Sequence, residues 1–246
     1  MVCGLLSRHP DPDPRPDSRR IGGERKRKMR KITILFLLAG MLLLLAYCSG
    51  HRNRQETETQ KDLNERTDET MQYECDALFF GDSITADGNF DELFPKLRIV
   101  NLGVYGDTLE DLLRRAPEVR AENPARIFLL GGINSLQDDN AELCLEQYAA
   151  LLDALRRACP ESELIVQSVL PVGDDIVSFL GCSNETIRSF NAELEKLAGE
   201  KGCEYVDLWP VYEKDGALDP TLTRDGVHLN FNAYGPWASR VEAWMN

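Results

Sequence analysis

Apolar residues fall along this chain in two patterns: short continuous runs, and longer stretches at helical spacing. Asp76-Ala77-Leu78-Phe79-Phe80 is a short run ending at Gly81. Leu97 to Leu102 is a second, ending at Gly103, and Arg126 to Leu130 a third, ending at Gly131-Gly132. Leu164 to Val169 and Glu204 to Leu208 are the fourth and fifth. Runs this short and this continuously apolar predict strands covered on both faces. Between them lie helical stretches. Thr108 with Asp111 predicts a capping box that opens a helix through about Arg120, with Leu109, Leu112, Leu113 and Ala116 inward. Asn140 is placed to cap a long helix to Ala158, with Leu143, Tyr148, Leu151, Leu152 and Leu155 at helical spacing and Pro160 as its stop. Asn184 to Ala198 repeats the pattern with Ile187, Phe190, Leu194 and Leu197. A last amphipathic stretch, Asn232 to Met245, sets Tyr234, Val241 and Trp244 on one side. Strands that alternate with helices predict an α/β domain: a three-layer α/β/α sandwich around a five-stranded parallel sheet.

The N-terminal third follows different rules. Ile32 to Tyr47 is an uncharged apolar run of sixteen residues, directly after the basic cluster Arg25-Lys26-Arg27-Lys28-Met29-Arg30-Lys31. A positive region followed by an apolar one of this length fits a secretory signal better than a spanning helix, which needs about 20 residues. Met29 sits where such signals begin, so residues 1–28 read as an upstream extension. Leu45-Ala46-Tyr47-Cys48 resembles a bacterial lipobox, which implies that Cys48 is lipidated and becomes the mature N-terminus. Tyr47 departs from the small residue that motif expects, and an uncleaved anchor or simple secretion are the alternatives. Residues 49–74 are polar and charged, with Leu63, Met71 and Tyr73 the few apolar positions, and read as a flexible tether. Residues 75–246 are the expected globular domain, long enough for a real core.

Charge sharpens the division. Residues 1–31 carry ten Lys/Arg against four Asp/Glu, a net +6; the remainder carries 18 against 37, a net −19. An acidic body of this kind argues against nucleic acid as a partner and against adsorption on anionic lipid. Any membrane association falls to the N-terminal segment. Beyond Cys3 and Cys48, the cysteines are Cys75, Cys144, Cys159, Cys182 and Cys203, with no CxxC pair, which argues against structural zinc. Cys159 with Cys203 is a weak disulfide candidate, and plain buried thiols are the alternative.

The candidate chemistry lies where the strands end. Gly81-Asp82-Ser83-Ile84-Thr85 is a sharp turn that presents a serine after the first strand. Asp225-Gly-Val-His228 follows the fifth. His228 is the one histidine of the domain, since His9 and His51 precede it. A serine needs a neighbouring base, and near neutral pH an imidazole is the usual one. Ser83 has a competing reading as a helix N-cap, and Asp-Gly is a common turn. Gly103 and Asn134 have ordinary turn readings too. Their common place at the carboxyl ends of the strands, where ligands bind in parallel sheets, favours a site. No phosphate-binding glycine loop occurs, and one histidine makes a His-based metal site improbable, so neither metal nor cofactor is expected.

Taken together, four blocks resemble those of the GDSL/SGNH-type serine esterases, and the similarity spans Ala77 to Trp244. They are Gly81-Asp82-Ser83-Ile84-Thr85, Asn101-Leu-Gly103-Val-Tyr-Gly106-Asp107, Gly132-Ile133-Asn134 and Asp225-Gly-Val-His228-Leu-Asn230. One departure is Ser135, where the family often has Asp. The resemblance implies a flavodoxin-like fold with Ser83 as nucleophile, His228 as general base and acid, and Asp225 as the carboxylate behind the histidine. It implies an oxyanion hole made of the N–H groups of Ser83 and Gly103 and the side-chain amide of Asn134. Asp82 and Asp107 are rivals for the acidic role, although Asp82 is expected to point into its turn and Asp107 to cap the following helix. The implied activity is hydrolysis of a small-molecule or glycan ester through an acyl-serine intermediate, with short acyl groups such as acetyl on carbohydrate favoured. Lysophospholipase or thioesterase activity, O-acyl transfer to a sugar, and a tethered binding module without chemistry are the alternatives. Nothing in the sequence sets an oligomeric state.

Overall fold

A computed structural model of the chain describes residues 73–245; the signal, Cys48 and most of the tether lie outside them. Five strands form one parallel sheet: β1 (Ala77–Gly81), β2 (Ile99–Gly103), β3 (Arg126–Leu130), β4 (Glu163–Gln167) and β5 (Glu204–Val206). Their spatial order is β2-β1-β3-β4-β5. The chain leaves β1 toward one edge and returns to β3 on the other side, so a crevice opens between β1 and β3 at their carboxyl ends. Ser83 follows β1 and Asn134 follows β3. That single reversal of direction makes the site.

The helices are α1 (Ser83–Ala86), α2 (Phe90–Leu93), α3 (Leu109–Arg115), α4 (Ala141–Ala158), α5 (Val177–Leu180), α6 (Asn184–Glu200), α7 (Trp209–Tyr212) and α8 (Tyr234–Val241). The five-stranded parallel sheet with flanking helices is the arrangement that the periodicity predicts. Its details differ where local chemistry intervenes. α3 opens on the expected Thr108–Asp111 capping box but gives way to a 3₁₀ turn at Ala116, where Pro117 enters, and that turn closes on left-handed Asn123. Asn140 stands at the N-cap of α4 without capping it. Its Oδ1 instead accepts from Gln137 N at 2.7 Å and its amide donates to Ser135 O at 2.8 Å. The fifth strand is three residues long, not five, because Trp209-Pro210 opens α7. A small antiparallel hairpin of β6 (Glu213–Lys214) and β7 (Ala217–Leu218) follows, its turn made by Asp215 and Gly216 at positive φ.

β1 is buried along its whole length. Phe79 stacks between Phe90 and Phe128, and Phe90 meets Trp237 of α8 edge to face. The indole N–H of Trp237 donates to Gln167 Oε1 at 2.6 Å, which pairs the indole N–H inside the core, while Gln167 Nε2 stays buried without a partner. These contacts fix α8, and with it the connection that precedes it, residues 219–230, over the carboxyl end of the sheet. The five described cysteines are free thiols, Cys203 half-buried and the others buried; Cys159 and Cys203 do not pair.

Candidate active site

Ser83 is the first residue of α1, one step past the turn at Gly81-Asp82. A Cβ on Gly81 would lie 2.2 Å from both Leu130 O and Thr85 Oγ1, so only glycine lets the chain reverse this closely against β3. Asp82 holds the turn: its carboxylate accepts from Ile84 N at 3.0 Å. Tyr234 donates its hydroxyl to Ile84 O at 2.7 Å and anchors α1 to α8. Ser83 thus sits in a braced turn and is only 5 % exposed.

The candidate acid–base element is the Asp225-Gly-Val-His228 turn. Asp225 Oδ1 accepts from His228 N at 2.8 Å and Val227 N at 3.0 Å, while its Oδ2 lies 2.7 Å from His228 Nδ1. Burial pushes the Asp225 carboxyl up, but the His228 and Val227 N–H groups and the imidazole outweigh it, so the group sits below its ordinary value. An ionised carboxylate at Nδ1 makes that nitrogen the donor. The lone pair is left on Nε2, which lies 2.9 Å from Ser83 Oγ. Two segments 145 residues apart therefore form one continuous hydrogen-bonded chain, hydroxyl to imidazole to carboxylate.

The rivals for the acidic position have other partners. Asp107 forms a largely buried ion pair with Arg115, which also donates to Leu102 O at 3.0 Å; Thr108, not Asp107, caps α3. Asp82 is fully buried, and this raises its carboxyl to about 7 against the pull of the Ile84 N–H and the facing His228. A carboxyl raised on folding contributes stability that is whole below its unfolded value near 3.8 and declines as pH rises toward 7. Asp82→Asn removes that term, worth at most about 4 kcal/mol. In urea denaturation the variant should gain on wild type as pH rises from about 4 to about 7. A stability difference that stays constant across that window would show that Asp82 does not titrate there.

On the opposite side of Ser83, the structure corrects one expectation. Gly103 N–H does not face the crevice free; it donates to Asn101 Oδ1 at 2.9 Å. A Cβ on Gly103 would come within 2.2 Å of Ala86 N, so this glycine permits the close approach of α1 to β2. Asn101 completes the clamp by donating its amide to Thr85 O and Gly88 O at 2.8 and 3.0 Å. Its side chain thereby ties β2 to the end of α1, a role the sequence signals only as the first residue of the second block. Three residues on, Gly106 is exposed at φ +78°, with nothing within 4 Å of where a Cβ would stand. The same turn reaches Asn134, whose amide donates one hydrogen to Asp107 O at 2.9 Å and keeps the other. Ser135 braces this loop by accepting from Leu109 N at 2.8 Å. Among the described residues, no group of three or more His, Cys, Asp or Glu side chains is placed to hold a metal ion.

Residues 79–235 match the GDSL-like lipase/acylhydrolase family. The chain belongs to that family. Its members are esterases and acylhydrolases, and the chain is an ester hydrolase of this type. It is similar to the mouse isoamyl acetate-hydrolyzing esterase 1 homolog, 27 % identical over 186 residues, covering 62 % of this chain and 74 % of the relative. In fold it matches a GDSL-like lipase from Bacteroides thetaiotaomicron with a TM-score of 0.61 at 22 % identity, covering 76 % of this chain and 96 % of the other. An acetyl xylan esterase superposes with a TM-score of 0.56 at 22 % identity, over 68 % of this chain and 98 % of that one.

Proposed function

We propose that this GDSL-family esterase works through an acyl-serine intermediate, with Ser83, His228 and Asp225 as its triad, and that it removes short acyl groups, acetyl foremost, from carbohydrate esters. The carrying observation is the Ser83–His228–Asp225 hydrogen-bond chain. Ser83 Oγ attacks the ester carbonyl while Nε2 takes its proton, and the imidazolium then protonates the departing alcohol. Asp225 fixes the tautomer and stabilises the imidazolium. Water, deprotonated by the same nitrogen, releases the acid. The oxyanion formed in each half-reaction is met by the Ser83 N–H, the second hydrogen of the Asn134 amide and the N–H of Gly106, which takes the place expected of Gly103.

The preference for small acyl groups is supported by the short helices at the carboxyl end of the sheet. α5 and α7 have four residues each, too few to form an apolar lid for a long acyl chain. The relative named for isoamyl acetate hydrolysis and the acetyl xylan esterase fold neighbour support the same preference. A nitrophenyl ester series from acetate to octanoate, followed by acetylated xylooligosaccharides, tests it. Highest kcat/KM on acetate, with free acetate released from the glycan, is the expected outcome. Preference for octanoate and no release from the glycan would contradict it. We further propose export with a lipid on Cys48, supported by the basic-then-apolar run before that residue. Metabolic labelling with a fatty acid should mark wild type and spare Cys48→Ala.

A further inference from the structure

We propose that Asp87 and Arg224 are positioning residues that set the approach of His228 to Ser83; the proposal rests on the triad reading above. Asp87 is the C-cap of α1, and its backbone N–H donates to Ser83 O at 3.1 Å. Its carboxylate Oδ2 receives the Arg224 guanidinium, a partner 137 residues away. The backbone N–H of Arg224 in turn donates to His228 O at 3.1 Å. Backbone of the nucleophile, carboxylate, guanidinium and backbone of the base thus form a closed ring, and its last link is the Ser83 Oγ–His228 Nε2 hydrogen bond. A second tie holds Asp87 in place, for its Oδ1 accepts the Tyr105 hydroxyl.

The pair also keeps a cation away from the triad. Arg224 Nε lies 3.9 Å from Asp225 Oδ2, the same oxygen that binds His228 Nδ1. With Asp87 in place, the guanidinium is shared and its NH2 end is drawn toward α1. Without that carboxylate, the guanidinium's remaining acidic partner is Asp225, where it competes with the imidazole. Arg224 is 46 % exposed although Asp87 is only 15 %, so water screens the pair from the guanidinium side and limits its contribution to global stability. Its effect is expected in geometry, where a displacement of about 1 Å can cost roughly a hundredfold in rate.

The test is steady-state kinetics on nitrophenyl acetate for wild type, Asp87→Asn, Arg224→Gln and the double variant, with a thermal melt of each. Asp87→Asn should lower kcat by about 10- to 100-fold with KM within about twofold. The double variant should be faster than Asp87→Asn alone, returning to the level of Arg224→Gln, because removing the freed cation relieves Asp225. Melting temperatures should stay together. Wild-type kcat in Asp87→Asn, or a double variant as slow as Asp87→Asn or slower, would overturn the proposal. Arg224→Glu, at a half-exposed position, carries the question if Asp87→Asn fails to fold: it must lose about tenfold in kcat, and full activity there overturns the clasp as well. An inactive wild type would instead contradict the triad reading, so the two failures are distinguishable.

Discussion

Ser83→Ala and His228→Ala should each lower kcat on nitrophenyl acetate by about 10⁴- to 10⁶-fold, with near-native melting temperatures. The size follows from the chemistry. Without Oγ no covalent intermediate forms, and without the imidazole the hydroxyl stays protonated near neutral pH. No second imidazole occurs in the domain to substitute, since His9 and His51 precede it. The two losses should not add, because each removes the same step; the double variant should be about as slow as either single one. Asp225→Asn should cost less, about 10²- to 10⁴-fold, since the base survives but its tautomer is no longer fixed. Stopped assays at several pH values check all three. Retention of more than about a tenth of wild-type kcat in either Ser83→Ala or His228→Ala would be incompatible with this triad.

The second large effect belongs to Asn134. Asn134→Ala should cut kcat by about 10²- to 10³-fold and leave KM nearly unchanged, because a donor aimed at the oxyanion acts mainly in the transition state. Asn134 also donates to Asp107 O at 2.9 Å, so a melt must accompany the kinetics. Loss of kcat with the melt intact assigns the effect to the oxyanion. A fall in stability together with a rise in KM would assign it to the loop, and the hole would then rest on backbone N–H groups alone.

How much of this was legible in the sequence depends on the range over which each feature acts. Strand and helix periodicity is local and strong, so the parallel α/β order and the cap at Thr108 could be read directly. The meeting of Ser83 with His228 was legible as a candidate because few residue types can do nucleophile and base chemistry and the domain offers one imidazole. Gly103 misled for a physical reason. A glycine at a strand end is equally consistent with close approach of substrate and close approach of backbone, and only the position of Ala86 decides between them. The Asn101–Gly103 hydrogen bond depends on the turn conformation, which no spacing rule reveals. Asp87 and Arg224 were invisible for a third reason: each alone is an ordinary surface charge, and their meaning lies in a contact that only the tertiary fold creates. The hairpin at Glu213–Leu218 escaped because two-residue strands are too short to carry alternation.

The most direct test of the account is covalent. Wild-type protein treated with a fluorophosphonate, digested and mapped by mass spectrometry should carry the phosphonyl group on the peptide containing Ser83, with labelling slowed by orders of magnitude in His228→Ala. A folded wild-type protein that stays unlabelled, or that carries the label on another serine, would contradict the claim that His228 activates Ser83.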